Sequence, residues 1–158
     1  MNNNDQKFMK RAIELAEKGM NKNAGGPFGC VIVKDGTILS EGHNSVTSTN
    51  DSTAHAEVVA IRKACEKLGS FQLEGCTIYT SCEPCPMCLG AIYWARPERV
   101  FYACSREDAA AIEFDDQFIY DELGLDIEQR KIKFDQLLQE EAQVVFNQWA
   151  AKNDRTEY

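Results

Sequence analysis

The sequence predicts an α/β sandwich, a mixed β-sheet with helices on both faces. Three observations lead there. Apolar residues recur at helical spacing over residues 5–20. A two-strand hairpin follows, turning at Asp35-Gly36. Helical and strand patterns then alternate, which makes the later strands parallel with right-handed crossovers. With 158 residues, 44% apolar and 27% charged, the chain suits one domain with a real core.

In the first helix Phe8, Ile13, Leu15 and Ala16 carry the helical spacing. "GGPFG" (25–29) breaks it, and "CVIVKDGTILSEGHN" supplies the hairpin. Polar "SVTSTNDST" reads as a loop. "AHAEVVAIRKACEKLG" is the second helix, stopped by Gly69. "CTIYTS" is a short strand, and "CEPCPMCLGAIYWAR" a third helix with prolines near its start, where they are tolerated. "RVFYAC" is a strand and "REDAAAIEF" a short fourth helix. From about residue 124 a short strand and then a helix are expected, with Ala142, Val145, Phe146 and Trp149 on one packing face.

Composition narrows the function. The net charge of −8 argues against a large nucleic-acid surface, which needs Lys and Arg to neutralise phosphates. A small, weakly charged substrate fits better. No run of about 18 apolar residues is present, so no spanning helix is expected. The spaced apolar residues of the N-terminus do not read as a signal peptide, and the expected location is the cytoplasm. Among seven cysteines, clustering in a reducing compartment favours metal or catalysis over disulfides. Cys30, Cys65, Cys76 and Cys104 are scattered and read as small buried hydrophobes.

The cluster is "SCEPCPMC" (81–88). A C-x-x-C pair offers two thiolates to one zinc, and a helix N-terminus favours thiolate. Both Cys82/Cys85 and Cys85/Cys88 have this spacing; Pro84 favours a helix beginning after it, and so the second pair. A catalytic site needs a third protein ligand and leaves a fourth position for water. The histidines are His43 and His55. His55 opens a helix, and in a parallel arrangement the two helix starts share one sheet edge, where ligand sites of α/β folds lie. Glu57 is two residues on, and residues so spaced point apart on a regular helix. Both can face one metal only if His55 stands at the first helical position or just outside it. Glu57 is then a general acid/base beside the water, not a ligand. H-A-E followed by P-C-x-x-C resembles the signature of zinc nucleobase deaminases.

Nearly the whole chain resembles the cytidine-deaminase-like superfamily, and within it the small bacterial guanine deaminases. The segments that carry the resemblance are "GGPFGCVIVKDG", "NDSTAHAEVVAIRKAC", "YTSCEPCPMCLGAIYWAR", "FDDQFIY" and the terminal "EY". It implies a five-stranded sheet between helices and one zinc per chain on His55, Cys85 and Cys88, with Glu57 as acid/base. It implies hydrolysis of guanine at C2 to xanthine and ammonia, with Asp116, next to Asp115, as a carboxylate for the base's donors. A base-binding role is implied for Asn44, which by itself reads as a turn residue. Phe28, in the glycine-flanked loop, is placed to pack on the base, Trp94 either walls the pocket or packs in the core, and Ala54 offers backbone groups near the zinc. The family's C-terminal segment folds over the active site and is exchanged between subunits; carried over, residues 125–158 would be exchanged in a homodimer and Tyr158 would close a pocket. The rival within the superfamily is a tRNA adenosine deaminase, disfavoured by the acidic balance and by "SREDAAAIEFDD", which stands where that family has a "KTGAAGS"-like stretch. Another nucleobase deaminase and a non-catalytic zinc module are the remaining alternatives. The latter has no need of Glu57.

Overall fold

A computed structural model of the chain describes residues 3–158. They group into two compact units, residues 3–116 and 117–158, each with its own internal contacts.

The first unit begins with α1 (Asn3–Asn21) and the hairpin β1 (Gly29–Lys34) and β2 (Thr37–His43). Asp35 and Gly36 both take positive φ, 49° and 72°, the requirement of a type I′ turn that matches the strand twist. The polar stretch expected to be a loop contains a single turn, α2 (Val46–Thr49), tied down by Thr49 Oγ1 donating to the Ser45 carbonyl at 2.7 Å. Then come α3 (Ala56–Leu68), β3 (Cys76–Cys82), α4 (Pro86–Ala95), β4 (Arg99–Cys104) and α5 (Arg106–Ala110). Gly69 ends α3 in the left-handed conformation, φ 60°, as glycine does at no steric cost.

The strand order is β2-β1-β3-β4. β1 runs antiparallel to both β2 and β3, and β3 runs parallel to β4. Hence β2, β3 and β4 share one direction. α3 leaves the end of β2 and α4 leaves the end of β3, so both helices start at the same sheet edge.

Alternation along the strands sorts the core into two layers. Val31, Val33 and Tyr79 pack with Phe8, Ala12 and Leu15 of α1. Cys30, Ile32 and Ile78 pack on the other face with Ala56, Ala60, Ile61 and Ala64 of α3 and Ile92 and Ala95 of α4. At Gly42 on β2 a side chain would collide with the Ala56 carbonyl and stand 2.9 Å from the Ala60 nitrogen. Glycine there lets the first turn of α3 lie against the sheet.

The second unit holds α6 (Gln117–Leu123), a 3-10 turn (Ile127–Gln129) and α7 (Gln139–Ala151). Here the structure corrects an expectation. Four strands are present among the described residues, not five, and the strand expected after residue 124 is absent. A strand persists only where a neighbouring backbone takes up its N–H and C=O groups, and no ladder includes this segment. The apolar stripe of α7 is exposed: Val145 is 60%, Phe146 68% and Trp149 45% accessible. No described helix is long and apolar enough to cross a membrane.

Candidate active site

His55 is the N-cap of α3, with φ −67° and ψ 155°, and the helix begins at Ala56. This is the boundary that the His55–Glu57 spacing demands. Its carbonyl accepts from Val59 N–H at 2.9 Å, so the backbone is half in the helix while the side chain stands off its end. Cys85 is likewise the N-cap of α4, with φ −63° and ψ 167°, and Pro86 occupies the first helical position. Proline lacks the N–H that would go unpaired there. Cys88 lies three residues on, on the same side of the helix start. The pairing is therefore Cys85/Cys88; Cys82 ends β3, buried, its thiol donating to the Ser105 carbonyl at 3.5 Å.

His55 Nδ1 is 3.5 Å from Cys85 Sγ and 3.5 Å from Cys88 Sγ. Zn–S bonds of about 2.3 Å and a Zn–N bond of about 2.0–2.1 Å at tetrahedral angles place nitrogen and sulfur about 3.6 Å apart. The three ligand atoms, all within 4.8 Å of one another, fit a single zinc ion. The Cys85 thiol is held well below its ordinary value, first by its hydrogen bond with Cys88 and then by the one with His55. A thiolate is the form a metal needs.

Glu57 lies in the first turn of α3 and is 5% exposed. Its Oε1 accepts from Thr80 Oγ1 at 2.8 Å, and its Oε2 is 3.3 Å from the Cys88 thiol. Burial pushes its carboxyl up from the ordinary value, while the Thr80 and Cys88 bonds oppose that. A carboxylate so raised is better poised to move protons near neutral pH. The sequence reading passed over Thr80. Its signal was the alternation of β3, which turns Thr80 to the same face as Ile78, toward α3.

Asn44 is 5% exposed, directly after β2. Its Oδ1 accepts from Val46 N–H at 3.1 Å, an Asx turn, so the acceptor of the amide is engaged. Its backbone N–H donates to the Phe28 carbonyl at 2.9 Å, which joins the two residues. The backbone of Ala54 is also engaged: its N–H donates to Asp51 and its carbonyl accepts from Ser45 N–H. Asp116 closes the first unit, and burial, then the nearby Cys85 sulfur, raises its carboxyl from the ordinary value. The structure thus gathers His55, Glu57, Cys85 and Cys88, with Asp116 near enough to feel Cys85. Trp94 lies beyond Cys88 on α4 and is 63% exposed. Tyr158 belongs to the second unit and is exposed.

Two helix N-caps, His55 and Cys85, together with Cys88 in the first turn of α4, present one imidazole and two thiols, and with a buried carboxyl beside them they define a hydrolytic zinc centre of the deaminase type. The family model for the cytidine and deoxycytidylate deaminase zinc-binding region matches residues 2–104. The chain belongs to this deaminase family. It is 57% identical over 155 residues to the guanine deaminase of Bacillus subtilis, covering 98% of this chain and 99% of that one. The solved Bacillus subtilis guanine deaminase superposes with a TM-score of 0.95 at 56% identity, covering 100% of this chain and 99% of the other. A tRNA-specific adenosine deaminase from Aquifex aeolicus is 44% identical over 96 residues, 61% of this chain and 63% of its own length. A structure solved in complex with 2,6-diaminopurine superposes with a TM-score of 0.66 at 33% identity, over 69% of this chain and 61% of that one.

Proposed function

We infer that the protein is a zinc-dependent guanine deaminase, converting guanine and water to xanthine and ammonia. The observation that carries this is the 57% identity to a guanine deaminase across 98% of the chain, including the segment beyond residue 104, where the match to the general deaminase model stops. The tRNA-acting relative covers much less of the chain, and a net charge of −8 is poorly suited to a phosphate backbone.

His55, Cys85 and Cys88 would hold one zinc, which would supply a Lewis acid able to lower the pKa of water toward about 7. Glu57 takes one proton from the attacking water and gives it to the purine ring nitrogen, then takes the second from the new hydroxyl, as the carbonyl forms, and gives it to the amine, which leaves as ammonia. Its burial keeps the proton from leaking to solvent. Asn44 has its Oδ1 taken by Val46, so it serves as a donor through its amide nitrogen to an acceptor on the purine edge. Phe28 packs against the base. Asp116 accepts from the base's N–H donors; Trp94 and, through the second lone pair of its carbonyl, Ala54 are secondary contacts.

The protein acts as a homodimer in which the segment from about 125 to 158 is exchanged and Tyr158 closes the partner's site. The exposed Val145, Phe146 and Trp149 of α7 support a covered surface in the assembly, since large apolar patches are rarely left to water.

Ultraviolet monitoring of guanine converting to xanthine by the purified zinc-loaded protein tests the assignment. Absence of guanine turnover, with turnover of adenosine in a tRNA anticodon stem, would overturn it.

A further inference from the structure

We propose that Gly26 is a positioning residue for the base-binding ring of Phe28, acting through Phe114. The inference rests on the proposed function for its substrate and for the contact of Phe28 with the base, and on separate geometry for Gly26. Phe28 and Phe114 meet edge to face, their centroids 5.0 Å apart and their planes at 87°. Gly26 sits where the two rings converge. A Cβ there would stand 2.8 Å from Phe114 Cζ, 2.9 Å from Phe28 Cε2 and 3.0 Å from Phe114 Cε1. Such separations are below van der Waals contact, so a methyl group would force the rings to move.

The backbones on both sides are held. Phe28 N–H donates to the Gly26 carbonyl at 2.8 Å, and the Phe28 carbonyl accepts from Asn44 N–H at 2.9 Å. Phe114 is fixed by the turn that ends α5. Its N–H donates to the Ala109 carbonyl at 3.0 Å, and Glu113 N–H to that of Ala110 at 3.0 Å. Glu113 takes the left-handed conformation, φ 70°. That is the bonding of a Schellman ending, with Phe114 at its outer position. The ring of Phe114 therefore comes from a defined point, two residues before Asp116. Gly26 is absent from the residues with positive φ. Its requirement for glycine is the space between the rings, not backbone conformation.

Edge-to-face pairs are selective for orientation. Closing the rings over a bare Gly26 sets the plane of Phe28. With Phe28 packing on the ring of the base as proposed above, tilting it removes binding common to ground and transition states. Gly26→Ala is expected to raise the KM for guanine about tenfold, the upper end of an aromatic pair's contribution. The kcat should stay within about threefold and zinc at one per chain. Phe114→Leu should raise KM by itself. Combined with Gly26→Ala it should give a KM below the product of the two effects, because the shorter, flexible side chain yields to the methyl.

Kinetics and zinc content of the wild type and these three variants decide the matter. An unchanged KM in Gly26→Ala, strictly multiplicative effects in the pair, or loss of zinc together with activity in Gly26→Ala would each overturn the proposal. If the wild type turns over another purine base in place of guanine, the substrate assignment fails. The same comparison on that base then decides the role of Gly26.

Discussion

Glu57 Oε1 and Thr80 Oγ1 form a buried hydrogen bond of 2.8 Å between the first turn of α3 and the centre of β3. It joins the carboxyl proposed as acid/base to the sheet. Both residues are almost sealed from solvent, Glu57 at 5% and Thr80 at 0% exposure. A carboxylate in that setting loses orientation and charge stabilisation together when its donor is removed.

Thr80→Val keeps the shape of the threonine and removes the hydroxyl. A hydrogen bond to a charged group contributes about 1.5–3 kcal/mol. The expected outcome is a kcat lower by roughly 10- to 100-fold at that energy, with zinc content retained. A rate equal to wild type would show that Glu57 holds its position without Thr80.

Glu57→Gln preserves size but cannot carry a proton between water and base. Because Glu57 is not among the three residues that meet around His55 Nδ1, metal analysis should still find one zinc per chain. Deamination should fall by about 10²–10⁴-fold, the usual scale for general acid–base catalysis. Retained activity would remove Glu57 from the proton path.

Deleting residues 150–158 removes Tyr158 and the end of α7, and leaves every residue of the first unit in place. The expected result is a large drop in guanine turnover with zinc content nearly unchanged. A truncated protein with an unchanged rate constant would contradict pocket closure by the tail.

Arg11 on α1 donates to Glu41 on β2 through Nε at 2.6 Å and through Nη2 at 2.9 Å. This two-pronged bond holds the Glu41 carboxyl below its ordinary value. A depressed folded-state pKa contributes stability that is present above the unfolded value, about 4.3 for Glu, and is lost as pH falls through the folded value. Glu41→Gln should therefore lower the melting temperature at pH 7, and the gap should begin to narrow as pH falls past about 4.3 and close only once the folded-state carboxyl is protonated. The pair is partly exposed, 36% and 31%, so the difference at pH 7 should be about 1 kcal/mol or less. Thermal melts of the two proteins from pH 7 to pH 3 provide the check, and a constant gap across that range would refute the coupling.

Local patterns already contained much of the site. The His55–Glu57 spacing requires a helix boundary between them, and α3 begins at Ala56. Pro84 and Pro86 pointed to the start of α4, with Cys85 as its cap. The Asp35-Gly36 turn was equally local, since two positive φ angles narrow the choice of residues. Thr80 was harder to see because a threonine in "YTSC" is ordinary strand composition, and its partner lies 23 positions away. Asn44 could be read as a turn residue or a ligand. The structure shows that the turn uses its oxygen. The strand expected after residue 124 failed for a related reason: its pattern was adequate, but a strand also needs a neighbour, and sequence does not supply one.

The amino-acid sequence by itself determined the chemistry: one imidazole, a C-x-x-C pair and a carboxylate, each at a helix start, with residue types and spacings that only a few metal sites share. Those features are short-range and follow from backbone preference and side-chain identity. Tertiary structure alone decided that β2, β3 and β4 run together with β1 reversed between β2 and β3, which brings the two helix starts to one edge and His55 Nδ1 to 3.5 Å from both sulfurs. It also decided that Thr80 holds Glu57 and that two phenylalanines close over Gly26. Such contacts join residues distant in the chain, and packing the two faces of the sheet is what selects them.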